Sequence, residues 1–220
     1  MRLAIFDLDH TLVSGDSDQL WCDFLIEVGL VPPHFREVAS EVAGRYAAGT
    51  ISAPDYCAFF ASLMTGFAVS DLLPVRQRFF KEVIHPRIPE DARELLRQHQ
   101  RAGDFLVLTT ATNRIVSELT ADDLQVDQYL CTELEISDGR IVGRTTGVAN
   151  MGTGKLARLR DWLTASGNGT ALLKQATFYS DSINDLSLLS VVGRPVVVDP
   201  DPRLEATALR KRWTVLRLHR

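Results

Sequence analysis

Four aspartates in two short stretches carry the chemistry legible in this chain. The run Phe6-Asp7-Leu8-Asp9-His10-Thr11 sets two carboxylates two residues apart, and Ser180-Asp181-Ser182-Ile183-Asn184-Asp185 adds two more. Between them in sequence stand one hydroxyl and one amine placed at element ends, Thr110 and Lys155. If folding brings these together, four carboxylates face a single lysine, and such crowding is unfavourable unless a cation is bound. A hard divalent ion fits that demand. Magnesium prefers oxygen ligands, keeps several waters and commonly bridges one or two carboxylates to a substrate phosphate. The set therefore points to a combined anion and metal site.

The elements that must position these groups follow from the apolar pattern around them. Leu3 to Phe6 is a short apolar run of the kind found in buried parallel strands, and the chain turns polar at its carboxyl end. Asp7 and Asp9 then leave the strand edge at which open α/β sheets bind ligands. Thr110 follows a strand beginning at Phe105 to Leu108, Lys155 opens a helix after Gly152 and Gly154, and Asp181 and Asp185 follow a strand over Ala176 to Tyr179. Each residue alone has an ordinary reading: an aspartate as a helix cap, Thr110 as the cap of the next helix, Lys155 as a surface lysine. The recurrence of such groups at three later element ends argues for a joint role. Gly152 to Ala157 matches a GxGxxA fingerprint, but no clear strand enters it and it does not follow the first strand. A phosphate-loop reading fails at Ala149 and Leu156, and no GxSxG elbow is present.

The 220 residues, 45% hydrophobic and 24% charged, suit one compact domain or a domain with an insertion. A net charge of −4 without a basic run argues against nucleic acid as partner. Cys22, Cys57 and Cys131 are odd in number and in no metal spacing, and read as small core residues. No leader-like segment and no bilayer-length apolar run is evident, so a cytoplasmic protein without membrane contact is expected. From about 14 to 85 the pattern is helical only: Leu20, Trp21, Phe24 and Leu25, then Tyr56, Phe59, Phe60 and Leu63 after the N-cap candidate Ser52. Residues 14–85 are thus expected as a helical cap over the carboxylates, inserted into a core of residues 1–13 and 86–220. Beyond Pro86 helices and strands alternate, with a hairpin turning at Asp138 and Gly139. The fold expected is α/β, a Rossmann-like doubly wound parallel sheet.

These motifs resemble the haloacid dehalogenase superfamily over the whole chain. DLDHTLV is similar to its first motif, Thr110 to its second, Lys155 to its third, and SDSINDL to its fourth, with Ser180 where many members have Gly. The position of the insertion and the run TELEISDGRIVG resemble the phosphoserine phosphatase branch, and counting back from that run selects Thr110 over Thr109. The runs DSDQLW, TATNR and FYSDSINDLSLL resemble a bacterial subgroup linked to histidinol-phosphate hydrolysis. The resemblance implies a magnesium-dependent phosphatase for a small phosphorylated metabolite. Asp7 is then the nucleophile that becomes an aspartyl-phosphate, and Asp9 the general acid and base. Thr110 and Lys155 hold the phosphoryl oxygens. Asp7, Asp181 and the Asp9 carbonyl bind the metal, and Asn184 and Asp185 act on metal waters and Lys155.

Asp16 has two readings, a cap of the first inserted helix or a carboxylate for a substrate ammonium. No cap arginine stands where the phosphoserine branch binds a carboxylate, which favours histidinol phosphate over phosphoserine. Trp21 or a nearby aromatic is expected to stack on the imidazole. A phosphotransferase with an alcohol acceptor would use the same residues, and a phospho-accepting receiver domain shares the acidic cluster, Thr and Lys. The oligomeric state is left open.

Overall fold

The computed structural model describes residues Met1–Leu218. Strand β1 (Leu3–Phe6) lies inside a seven-stranded sheet between β2 (Phe105–Asn113) and β5 (Thr177–Ser180). On the β2 side the sheet continues with β3 (Gln128–Ser137) and β4 (Arg140–Thr146), and on the β5 side with β6 (Arg194–Val198) and β7 (Thr214–Leu216). All pairings are parallel except the β3–β4 hairpin. The chain moves outward from β1 to β2 and β3, then returns across to β5. That reversal opens a crevice beyond the carboxyl end of β1, as doubly wound sheets do at a change of winding direction.

Between β1 and the remaining strands the chain is helical: α1 (Ser17–Glu27), α2 (Phe35–Ala47), α3 (Ala53–Ser62) and α4 (Val69–Phe79), the last running into a π-helical turn over Phe80–Ile84. Ser52 and Asp55 form a reciprocal capping box at the start of α3. Two devices hold these helices over the sheet. The segment before α4 pairs with the hairpin through Gly66 N–H to Ile141 O (2.8 Å), Ile141 N–H to Phe67 O (3.0 Å) and Val69 N–H to Gly139 O (2.9 Å). On the other side the buried Arg76 donates to Ile115 O (2.5 Å) and Glu118 (2.7 Å).

The core helices are α5 (Glu90–Arg101), α6 (Arg114–Asp123), α7 (Thr153–Ala165), α8 (Leu186–Leu189) and α9 (Pro202–Lys211). Alternate residues of β1 serve two cores. Ala4 and Phe6 pack with the inserted helices, α5 and α6, whereas Leu3 and Ile5 pack with Leu159, Leu163, Leu188 and Leu204 of α7, α8 and α9. Burial on both faces explains why β1 reads as a continuous apolar run. Two expectations need correction. β2 runs beyond Leu108 to Asn113, with a register shift against β3 between Thr109 and Asn113 that re-aims its end. Ala176 precedes β5, which reaches Ser180. Past β5 the chain takes a 3-10 turn at Ile183–Asp185, followed by the single turn α8. The expected core segment ends in His219 and Arg220, which lie outside the described residues.

Candidate active site

Register brings the first motif level with two neighbours. Phe6 pairs with Leu108 on one side and Tyr179 on the other, so Asp7, Thr109 and Ser180 come next on three adjacent strands. Asp7 is held there by its N–H donating to Tyr179 O (3.0 Å) and by the Phe6–Tyr179 ring stack (4.8 Å between centroids) behind it. Lys155 comes from the start of α7. Gly154 makes this approach possible, because a Cβ there would lie 2.0 Å from Ala149 O, and Gly152 takes φ +57°. The buried Asn150 locks the preceding loop to β2 and β3, its Nδ2 lying 2.9–3.0 Å from Thr109 Oγ1, Thr110 O and Leu130 O. The glycines of GTGKLA thus deliver a lysine.

These elements enclose a cavity of ≈ 290 Å³ lined by Asp7, Asp9, Asp16, Asp18, Asp181 and Asp185 with Lys155, His10 and Asn184 among its other walls. Lys155 Nζ donates to Asp7 Oδ1 and Asp185 Oδ2, both at 2.7 Å, and Ser180 Oγ also donates to Asp185 Oδ2 (2.8 Å). Both oxygens of Asp9 are fixed, Oδ1 by Ser17 N–H (2.8 Å) and Oδ2 by the Thr112 hydroxyl (2.7 Å). Thr11 Oγ1 donates to Asp181 Oδ1 (3.2 Å). Thr110 does not line the cavity. It is wholly buried within β2, its Oγ1 accepting from Thr112 N–H (3.1 Å), while Ala111 and Thr112 form the wall. A hydroxyl that accepts one bond retains a proton to donate.

Burial raises the pKa of Asp7, with Lys155 pulling it back and Asp9 adding to the rise. Burial and the neighbouring Asp16 push Asp9 up to about 6, despite the hydrogen bonds from Ser17 and Thr112. Asp181 rises well above the usual carboxylate range through burial and then through Asp7 and Asp185. Burial acts to lower Lys155, but Asp185 and Asp7 outweigh it and hold the ammonium charged. A carboxylate pair with this excess of negative charge suits a divalent cation. Among the described residues no three His, Cys, Asp or Glu side chains gather as a metal cage. Two carboxylates and a backbone carbonyl, completed by water and a substrate oxygen, are the sparse donor set that magnesium takes.

The upper wall comes from the inserted helices. Asp16 takes the first of its two readings, since its Oδ1 caps α1 by accepting from Gln19 N–H (3.0 Å), while its Oδ2 accepts from the Tyr56 hydroxyl (3.1 Å) at the cavity wall. Trp21 is not at the site. It is buried against Phe24 and Phe79 with its indole N–H 3.3 Å from Met64 Sδ, so the aromatic walls are Tyr46 and Tyr56 instead. Their positions on α2 and α3 are set by tertiary packing, and no local pattern marks them. Thr112 and Asp18 were within the noticed runs TATNR and DSDQLW, yet only the geometry shows one fixing Asp9 and the other lining the cavity.

Residues 4–190 match the family model described as haloacid dehalogenase-like hydrolase. The chain is 36% identical over 217 residues to a histidinol-phosphatase of Neisseria meningitidis serogroup C, covering 98% of each chain. It is 31% identical to the phosphoserine phosphatase SerB1 of Mycobacterium tuberculosis, covering 96% of this chain and 69% of that protein. A solved protein of unknown function from Bordetella pertussis Tohama I superposes with TM-score 0.93 at 35% identity, covering 98% and 97% of the two chains. With a helical insertion behind the first strand and a cluster of aspartates beyond it, this chain belongs to the haloacid dehalogenase-like hydrolases, as a phosphatase of the phosphoserine phosphatase-like kind.

Proposed function

We propose that this protein hydrolyses the phosphate monoester of a small amino alcohol, histidinol phosphate by preference, through an aspartyl-phosphate on Asp7 and with magnesium as cofactor. One observation carries the substrate reading: among the described residues the cavity wall holds six aspartates, one lysine already bonded to two of them, and no arginine. A substrate ammonium meets compensating charge there. A substrate carboxylate does not, and leaving it unpaired costs on the order of a few kcal/mol, at least tenfold in discrimination. The name of the Neisseria relative supports this reading. The second reading, phosphoserine, draws support from the name of the Mycobacterium relative.

Asp7 Oδ1 is engaged by Lys155, which leaves Oδ2 to attack phosphorus in line with the ester oxygen. Lys155 opposes the rise that burial gives the Asp7 pKa and offers fixed positive charge to the phosphoryl oxygens, while Thr110, buried behind the cavity wall, accepts from Thr112 N–H and holds that wall in place. Asp9, with its carboxyl plane fixed by Ser17 and Thr112, gives its proton to the departing alkoxide. The same carboxylate then takes a proton from water, which attacks the aspartyl-phosphate and frees phosphate. A carboxyl group pushed up to about 6 suits both halves of that exchange near neutral pH. Asp7, Asp181 and the Asp9 carbonyl would hold magnesium, which when bound neutralises phosphoryl charge. Asp185 and Asn184 sit behind this set, Asp185 orienting Lys155.

Phosphate release from histidinol phosphate, O-phosphoserine and nitrophenyl phosphate tests the reading. Histidinol phosphate should exceed phosphoserine at least tenfold in kcat/KM. Asp16→Asn should reduce turnover of histidinol phosphate more than that of nitrophenyl phosphate. Phosphoserine as the better substrate would overturn the choice. Transfer of the phosphoryl group to added alcohols in place of water would make the protein a phosphotransferase.

A further inference from the structure

The cavity holds one more carboxylate than a single substrate ammonium can use. In the proposed mechanism Asp7 and Asp181 are taken by the metal and Asp9 by proton transfer, and Asp185 is bonded to Lys155 and Ser180. Asp16 has its hydrogen bonds from Gln19 and Tyr56 and remains the partner for an ammonium. Asp18 is left. It sits two residues on, in the first turn of α1, 4% exposed yet part of the cavity wall.

Asp18 also has only one weak partner among the described residues. Its Oδ1 meets Asn113 Nδ2 only at 3.4 Å, and among the described residues no hydrogen bond reaches Oδ2. Behind it the acceptor Asn113 Oδ1 and the Ser17 hydroxyl are enclosed without any partner. Neither Asn113 nor Ser17 lines the cavity, but Asp18 does, and a buried carboxylate at a cavity wall with a single long hydrogen bond among the described residues marks a place where a ligand brings donors. Burial, Asp16 and Asp9 raise the Asp18 pKa well above the carboxylate range, a state that an N–H donor or cation relieves. Beside it stand the Tyr46 and Tyr56 rings, 4.9 Å apart between centroids and tilted by 42°. They offer π faces to a flat or cationic group.

We propose that Asp18, backed by Asn113 and flanked by Tyr46 and Tyr56, is a second nitrogen-recognition point, so that the substrate carries two separate nitrogen-bearing groups besides its phosphate. One, an ammonium, meets Asp16. The other, an N–H of a flat ring or a second amine, meets Asp18. This rests on the reading of the site as an amino-alcohol phosphatase and adds to it a requirement that phosphoethanolamine or phosphoserine cannot meet.

Two measurements test it separately from the named substrate. The first is inhibition of nitrophenyl phosphate hydrolysis by histamine, which has both nitrogen groups and no phosphate, against ethanolamine, which has one. Histamine should inhibit at least tenfold better in the wild-type enzyme, and Asp18→Asn should remove most of that advantage. The second is the ratio of kcat/KM for histidinol phosphate to that for nitrophenyl phosphate, which should fall at least tenfold in Asp18→Asn. Thermal unfolding confirms that the variant is folded, and Asp18→Glu should recover part of the ratio. Equal inhibition by the two amines, or equal loss of both esters in Asp18→Asn, overturns the proposal and leaves Asp18 a structural residue. If histamine shows the preference but histidinol phosphate is not hydrolysed, the second point stands and the named substrate falls.

Discussion

Replacing Lys155 by Met isolates the charge arrangement at the heart of the site. The ammonium is 4% exposed and lies 2.7 Å from carboxylates that are themselves 9% and 2% exposed, those of Asp7 and Asp185. Taking away one member of such a buried group leaves uncompensated charge and costs about 3–5 kcal/mol. At 2–4 °C per kcal/mol for a chain of this size, Tm should fall by roughly 6–20 °C at pH 8 with chelator present. The pH dependence has a definite sign. Lys155 titrates above its ordinary value, so its contribution is fully present below that value and constant between pH 5 and 8. Asp7 and Asp185 titrate above their unfolded value, so the folded state takes up protons first and gains stability as pH falls. Without the lysine that uptake is stronger. The deficit of Lys155→Met relative to wild type should therefore shrink between pH 8 and 5, and adding Asp185→Asn should recover part of it. Urea denaturation across that range is the assay. A deficit below 1 kcal/mol, or one that does not change with pH, would refute the account of Lys155 as the ion that holds the carboxylates together.

Asp7→Asn should abolish phosphate release while leaving the circular dichroism spectrum unchanged, because the amide keeps the shape but is a poor nucleophile. Substantial turnover in the purified variant would move the nucleophile elsewhere. Chelation should remove activity, magnesium should restore it, and calcium should restore it poorly because its larger, looser shell disturbs in-line geometry. Under chelation Asp181→Asn should raise Tm, since burial beside Asp7 and Asp185 makes that carboxylate costly without a cation. Gly154→Ala should lower Tm by the equivalent of at least 1–3 kcal/mol and cut activity, because its Cβ would meet the Ala149 carbonyl at 2.0 Å.

The sequence by itself determined the parts governed by local chemistry. A doubly buried strand must be apolar at every position, so Leu3–Phe6 and the polar break at Asp7 were legible, and with them the parallel α/β class. The all-helical run after β1 and the Asp138–Gly139 turn were legible because periodicity and turn residues act over a few positions. The two aspartate-rich runs declared themselves through residue type and spacing. Only the tertiary structure decided what depends on distant segments meeting. The extension of β2 to Asn113 comes from its pairing with β3, and it is this end that presents Thr112 to Asp9. Trp21 looked like a ring for stacking because an aromatic on an amphipathic helix carries no label for inside or outside. Its burial follows from Phe79, more than fifty positions away, while Tyr46 and Tyr56 reach the cavity because α2 and α3 pack together over it. Asp18 differs from an ordinary first-turn aspartate only through its surroundings. Helix dipoles favour acids at that position everywhere, and only the enclosure by Asn113 and the cavity wall turns this one into a buried carboxyl with a single long hydrogen bond.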